Sequence, residues 1–178
     1  SSQNPAGIQV DVHGQERPKE ASINVEAAES YMLAMNAYDW NDSDAYIRNV
    51  SACFQSEDTK IILEDGVKYH PAACNQLLHI TFQSFPDFQF RWGKVAPING
   101  NPNRIGVEEI YAEGHVTGKA YSILPGEIPP IGNYNHNDEQ RFELTMENGK
   151  IVRMEVYAMG LHTGFISFYT QAGGKISA

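Results

Sequence analysis

The sequence has few basic residues and no long apolar run, and each shortage excludes a class of protein. Its 178 residues contain 13 Lys and Arg against 22 Asp and Glu, which gives a formal net charge of −9. This balance leaves no basic surface for a phosphate backbone, so we predict no nucleic-acid partner. No segment approaches the roughly 20 apolar residues that cross a bilayer, so we predict no membrane insertion.

Cysteines are also scarce, and an N-terminal leader pattern is missing. Cys53 and Cys74 fit no metal-ligand spacing, and we expect two free, buried thiols, with pairing left open until their geometry is known. The chain begins at Ser1 without the basic and then apolar order of a signal peptide. We therefore expect a soluble protein, either a processed mature form or a trimmed chain, in a compartment that the sequence leaves open.

The 42% of residues that are hydrophobic can form the core of one domain. Residues 1–24 are polar, contain Pro and Gly, and show no sustained apolar period, which is typical of an arm. We predict a single domain over residues 25–174 and a short tail over residues 175–178.

Three helices are predicted in the first half of the domain. Apolar residues recur at helical spacing from Val25. Asp42 or Ser43 can cap a short second helix, because a side-chain oxygen there accepts from an otherwise unpaired amide. Pro71 suits the first turn of a third helix, which Pro86 ends.

Strands predominate after the third helix. After it, alternation of apolar and polar residues begins at Phe88 and returns over residues 105–117. One short strand is predicted before it, over residues 59–64. This order predicts an α+β fold with an antiparallel sheet. Residues 121–137 form a long loop rich in Pro and Gly, which we interpret as a lid.

The last hairpin allows its pairs to be counted, because Asn148-Gly149 is a strong two-residue turn signal. Strict alternation then gives one core face and one mixed outer face. The core face carries Met146 with Ile151, Leu144 with Arg153, Phe142 with Glu155 and Gln140 with Tyr157. The outer face carries Thr145 with Val152, Glu143 with Met154 and Arg141 with Val156.

Four short motifs resemble one family. They are Phe85-Pro86-Asp87, the Gly-His-Val-Thr-Gly of residues 114–118, the Pro-Pro-Ile-Gly of residues 129–132 and the Glu-Asn-Gly-Lys-Ile of residues 147–151. Their order and spacing resemble SnoaL-like polyketide cyclases of the nuclear transport factor 2-like superfamily, over roughly residues 25–174. The resemblance implies a cone-shaped fold, in which N-terminal helices pack on a curved antiparallel sheet around a pocket, and it implies dimers formed through the outer sheet face.

The sequence departs from this family at the residues that matter for cyclase chemistry. The family has an acidic residue in the last strand, and alignment on the Asn-Gly turn places Met159 there. Glu155 stands where the family has an aromatic residue, and the family's histidine is displaced to His115. The resemblance therefore implies the pocket but does not carry over the cyclase acid/base pair.

The counted register makes Glu155 the first catalytic candidate, since a carboxylate in an apolar pocket has a raised pKa that suits proton transfer. Tyr157 shares its face, and His115 could assist, because Glu113 lies on the same side of its strand. Arg153 is a candidate for binding substrate, but it could equally hold Glu155 in a structural ion pair.

Aromatic residues supply the remaining binding candidates, with ordinary core as the alternative role. They are Tyr31, Phe82, Trp92 and Phe142. The histidines are scattered over different elements, so we predict no metal site, and no motif indicates a cofactor.

Two functions remain open. One is an acid/base isomerase, cyclase or dehydratase that acts on a small, largely apolar carbonyl compound, with Glu155 as base. The other is a noncatalytic binding or assembly module, in which an outer face with Val152, Met154 and Val156 forms a homodimer or docks onto a larger complex. The absence of an acid at Met159 favours the second function.

Overall fold

The computed structural model describes residues 19–176, in which four helices pack on a curved, mixed sheet. The helices are α1 (Lys19–Asn36), α2 (Ser43–Ser51), α3 (Pro71–Ser84) and α4 (Gly164–Gln171). The strands are β1 (Lys60–Ile62), β2 (Lys68–Tyr69), β3 (Gln89–Ile98), β4 (Asn101–His115), β5 (Tyr134–Asn137), β6 (Gln140–Glu147) and β7 (Lys150–Ala158). The predicted α+β class is confirmed.

The strands form one sheet in the order β2-β1-β7-β6-β4-β3, and β5 pairs with β4 beyond the end of β6. The pairing is antiparallel except between β1 and β7, which run parallel. The sheet is therefore antiparallel, as predicted, except at this one pair. β2, α3 and the strands β3 to β6 lie between β1 and β7 in the sequence, so this parallel pair joins distant parts of the chain.

Local signals set the starts of α2 and α3. The side chain of Asp42 caps α2 by accepting from the amide of Ala45. Pro71 begins α3, where its missing N–H would have no helical partner. α1 includes residues 19–24, which were predicted as part of the arm, and residues 1–18 of that arm lie outside the described residues.

The pairing register of the β6–β7 hairpin shifts by one residue close to the turn. Asn148 and Gly149 have φ of 49° and 76°, which confirms the predicted turn. Met146 pairs with Ile151 as counted, but the next pair joins Thr145 to Arg153. Val152 is therefore the extra residue of a β-bulge, which reverses the side-chain alternation beyond it.

The counted register is wrong from this bulge onward. Leu144 pairs with Met154 and Phe142 pairs with Val156, so apolar side chains face apolar side chains in the interior. Glu143 pairs with Glu155 on the opposite side of the sheet. Arg153, Glu155 and Tyr157 thus lie on the outer face.

A second bulge interrupts β4. Trp92 pairs with Glu109 and Arg91 with Tyr111, so that Ile110 has no opposite residue. The inward positions run through Ile105, Val107 and Glu109, and after the bulge they resume at Ala112. Glu113 and His115 consequently lie on the other side of the sheet from Glu109.

The sequence patterns did not predict α4, and asparagines hold it against the sheet. Three asparagine amides in and beside β5 donate to backbone oxygens of and just after α4: Asn133 to Ala172 at 3.5 Å, Asn135 to Phe168 at 2.6 Å and Asn137 to Gly164 at 2.9 Å. Asparagines two residues apart on a strand are about 6.6 Å apart, which is close to the roughly 6 Å between helix residues four apart. The asparagines advance along β5 while their partners run backwards along α4, so α4 lies antiparallel to β5. The predicted loop over residues 121–137 therefore ends in a strand.

Candidate functional site

A cavity lies between the inner face of the sheet and helices α1, α3 and α4. Its volume is about 70 Å³, which is room for several waters or a small organic group at roughly 10–15 Å³ for one water. Six aromatic side chains form much of its wall: Tyr31, Phe88, Phe90, Phe142, Phe165 and Phe168. The cavity is therefore largely apolar.

Glu109 of β4 is an ionisable group buried in this apolar wall. Its side chain is 2% exposed, and its Oε2 atom has no hydrogen-bond partner. Burial, and then the charge of Glu64, raises the pKa of Glu109 from its ordinary 4.5 to about 8. No Lys, Arg or His is among the described residues that line the cavity. A substrate proton could therefore be exchanged with Glu109 near neutral pH.

Tyr31 of α1 supplies a hydroxyl to the same cavity. The hydroxyl donates to the Sδ atom of Met154 at 3.5 Å, and a thioether is a weak acceptor. Burial raises the pKa of Tyr31 well above its ordinary value, so the hydroxyl keeps its proton. A carbonyl oxygen in the cavity would be a better acceptor for this donor than the sulfur.

Further polar residues line the cavity. Glu64 follows β1, and its carboxylate lies against Gly164 at the start of α4, where a Cβ would overlap it. Burial raises the pKa of Glu64. Asn137 and Gln140 also line the cavity. The thiol of Cys74 stays protonated, because burial raises its pKa to about 12.

The predicted aromatic candidates divide into two groups. Tyr31 and Phe142 line the cavity. Phe82 packs in the core, where its ring stacks on Tyr38 with centroids 5.0 Å apart. Trp92 is half-buried, and its Nε1 atom donates to the backbone oxygen of Met32 at 3.1 Å.

The predicted catalytic group around Glu155 lies on the outer face, away from the cavity. Arg153 Nε donates to Glu155 at 3.2 Å, and the Tyr157 hydroxyl donates to it at 2.8 Å. The hydrogen bond from Tyr157, and then the partner Arg153, lowers the pKa of Glu155. The expectation of a raised pKa in a pocket is corrected, because the bulge at Val152 turns this side chain outward.

His115 and Glu113 do not form the predicted dyad. The Nδ1 atom of His115 lies 2.7 Å from Asp87, at the start of the turn that precedes β3. The carboxylate of Glu113 instead accepts from Tyr134 at 2.6 Å and from Gln89 at 2.9 Å. Both side chains belong to the outer surface.

The surface proposed for assembly also differs from its prediction. Met154 and Val156 are buried in the interior, at 2% and 4% exposed, and Val152 alone of the three predicted residues remains near the outer face. The predicted homodimer stays a prediction. Met159, the position of the family's acid, is exposed after β7.

Other predicted features can be located in the described part of the chain. Residues 121–137 contribute Ile123 and Leu124 to a surface depression, but only the β5 end of this predicted lid reaches the inner cavity. Cys53 and Cys74 are free thiols. Within residues 19–176, no group of His, Cys, Asp and Glu side chains could hold a metal ion, and no helix is long and apolar enough to cross a bilayer.

Solved structures with similar folds are numerous, although no protein-family model and no curated sequence matches the chain. A protein from Jannaschia sp. CCS1 assigned as a SnoaL-like polyketide cyclase has a TM-score of 0.59 at 16% identity, over 81% of this chain and 90% of its own. AclR of Streptomyces galilaeus, assigned as a hydroxylase, has a TM-score of 0.62 at 16% identity, over 86% and 82%.

A third structure comes from Catenulispora acidiphila and has a ketosteroid isomerase-like fold. It was solved with trimethylamine and has a TM-score of 0.52 at 11% identity, over 84% of this chain and 94% of its own. The chain has the fold of the SnoaL-like and NTF2-like proteins. The proteins that share this SnoaL-like fold are assigned different activities, so the chemistry of this chain must be argued from its own cavity.

The sequence contained a signal for Glu109 that alternation alone would have found. Glu109 follows Ile105 and Val107 at spacings of two, which places it on the core face of β4 before the bulge. The family motif instead contains His115, which lies beyond the bulge and therefore on the outer face.

Proposed function

We propose that this protein is an acid/base enzyme that moves a proton on a carbon next to the carbonyl group of a small, neutral and largely apolar compound. One observation carries the proposal: Glu109 is buried in an apolar cavity without a partner for its Oε2 atom. A pKa of about 8 leaves roughly a tenth of this group ionised at pH 7. Both protonation states are therefore available near neutral pH.

Each residue would have a distinct role in the reaction. The Glu109 carboxylate removes the proton from the substrate carbon, and the resulting carboxylic acid returns it to that carbon or to a neighbouring one. The Tyr31 hydroxyl, which donates to the thioether of Met154 when no ligand is bound, donates to the carbonyl oxygen as negative charge develops there. The aromatic wall excludes water, which strengthens both interactions.

The proposal is tested by deuterium uptake in heavy water. A panel of small cyclic and linear ketones is incubated with the protein, and exchange at the carbon next to the carbonyl is followed by NMR. We expect exchange to fall by about 10²- to 10⁴-fold in Glu109→Gln and by about 10²-fold in Tyr31→Phe. The wild-type rate should rise with pH and level off above pH 8, because the base is then ionised.

Glu155→Gln is the matched control, because it removes a glutamate from the same sheet but from its outer face. It should exchange at the wild-type rate. Equal exchange rates in Glu109→Gln and the wild type would overturn the assignment of the base, as would an equal loss in both glutamine variants.

A further inference from the structure

A second depression lies outside the cavity and shares part of its wall. Its volume is about 310 Å³, and Leu63, Glu64 and Phe165 line both spaces. Leu77 of α3 and Leu124 of the loop before β5 also line it. The two spaces thus meet at three residues, which come from the segment just after β1 and the first turn of α4.

The sizes of the two spaces differ in a way that bears on the ligand. The inner cavity, at about 70 Å³, is well below the roughly 300 Å³ at which pockets for drug-sized ligands begin. It has room for the reacting end of a carbonyl compound and little more. Any longer part of the molecule has to leave the cavity, and the wall shared with the depression leads to a space several times larger.

The charges around the depression limit what that longer part can be. Its ionisable lining groups include Glu64 and Asp65, and no Lys, Arg or His is among the described residues that line it. A negatively charged tail would be repelled there, since the described lining residues include no cation to offset the two carboxylates. Leucine and isoleucine side chains form much of the remaining surface, which favours hydrocarbon.

We infer that the outer depression is a binding subsite for an uncharged apolar tail, and that the substrate is an elongated carbonyl compound with its reactive end beside Glu109. The position of the reactive end rests on the proposed function. The tail subsite rests on the depression itself, so that binding and turnover test the two separately.

The test measures binding of a homologous series of linear 2-ketones by ligand-observed NMR and calorimetry. Affinity should rise by up to about fourfold for each added methylene, the value for a fully buried CH₂, until the depression is filled. In Ala73→Trp, the indole would fill the depression from an exposed position on α3. Short ketones should then bind as in the wild type, and the gain with length should be lost.

Ala72→Trp is the matched control, because Ala72 is also exposed on α3 but does not line the depression. It should keep the gain with chain length. An affinity that does not change with length in the wild type, or an equal gain in both tryptophan variants, would overturn the subsite.

A second series carries a carboxylate at the far end of the same chains. These compounds should bind at least tenfold more weakly than the methyl-ended ketones of equal length, and Asp65→Asn should reduce that difference. Equal binding of both series would show that Glu64 and Asp65 do not repel a charged tail in the depression. Glu109→Gln separates the two proposals, because it should lower exchange by about 10²- to 10⁴-fold and leave the gain with chain length intact.

Discussion

Glu109 and Glu155 lie on two strands that flank β6, and their surroundings are opposite. Glu155, on the outer face, accepts from Arg153 and Tyr157, and its pKa is lowered. Glu109, on the inner face, has an oxygen without a partner, and its pKa is raised. A carboxylate that already has its partners is stabilised as an anion, whereas one that lacks them has capacity left for a ligand.

Glu155 has surroundings typical of a structural role, and Glu109 has surroundings typical of a functional one. The outer group resembles an ordinary surface ion pair, which contributes about 0–1 kcal/mol to stability. Burial of the Glu109 carboxyl group without a partner for Oε2 costs about 1–3 kcal/mol. A protein is expected to keep such a destabilising group in a cavity where a ligand supplies the missing hydrogen bond.

The strongest way to test the contrast is to measure stability against pH. The folded-state pKa of Glu109, about 8, lies above the ordinary 4.5, so the folded protein holds this proton while the unfolded chain releases it. The stability that this proton contributes to the folded protein is fully present below pH 4.5 and is lost as the pH rises to 8. The loss amounts to about 5 kcal/mol at 1.36 kcal/mol per pKa unit.

Urea unfolding of the wild type and of Glu109→Gln at several pH values measures this contribution. The wild type should lose about 5 kcal/mol more than the variant between pH 4.5 and pH 8. Glu155→Gln should keep the wild-type fall over that range. Parallel curves for the wild type and Glu109→Gln would show that the group is not held neutral in the folded protein.

Exchanging side chains across β7 tests the bulge that creates the contrast. Met154 is 2% exposed, so Met154→Glu loses a buried apolar side chain and buries a carboxyl group, at a cost of about 3 kcal/mol or more. Glu155→Met should cost less than about 1 kcal/mol. Without the bulge, Glu155 would lie inside and Met154 outside, so Glu155→Met would be the more destabilising change. Thermal and urea unfolding of the two variants therefore decides between the two registers.

Local chemistry predicted much of the fold. The Asn148-Gly149 turn, the Asp42 cap and the start of α3 at Pro71 each depend on a few neighbouring residues. The motif order led to the SnoaL-like fold, which depends on many such elements. These features need no knowledge of what lies opposite in space.

The site was mispredicted because the bulges depend on contacts across the sheet. In β7 the buried positions are Ile151, Met154 and Val156, a spacing of three and then two. Strict alternation ignored that interruption and moved Glu155 inward. The helix α4 was missed for a similar reason, since its asparagine partners on β5 are distant in sequence.

The smallest expected effect concerns Glu155 itself and completes the comparison. Because Tyr157 and Arg153 lower its pKa, its contribution is present above the ordinary pKa and is lost as the pH falls through the folded-state pKa. Glu155→Gln should therefore cost less than about 1 kcal/mol at pH 7 and nothing in strong acid. Urea unfolding at the two pH values checks this. A cost of several kcal/mol at pH 7 would mean that Glu155 is a buried group, and the contrast with Glu109 would fail.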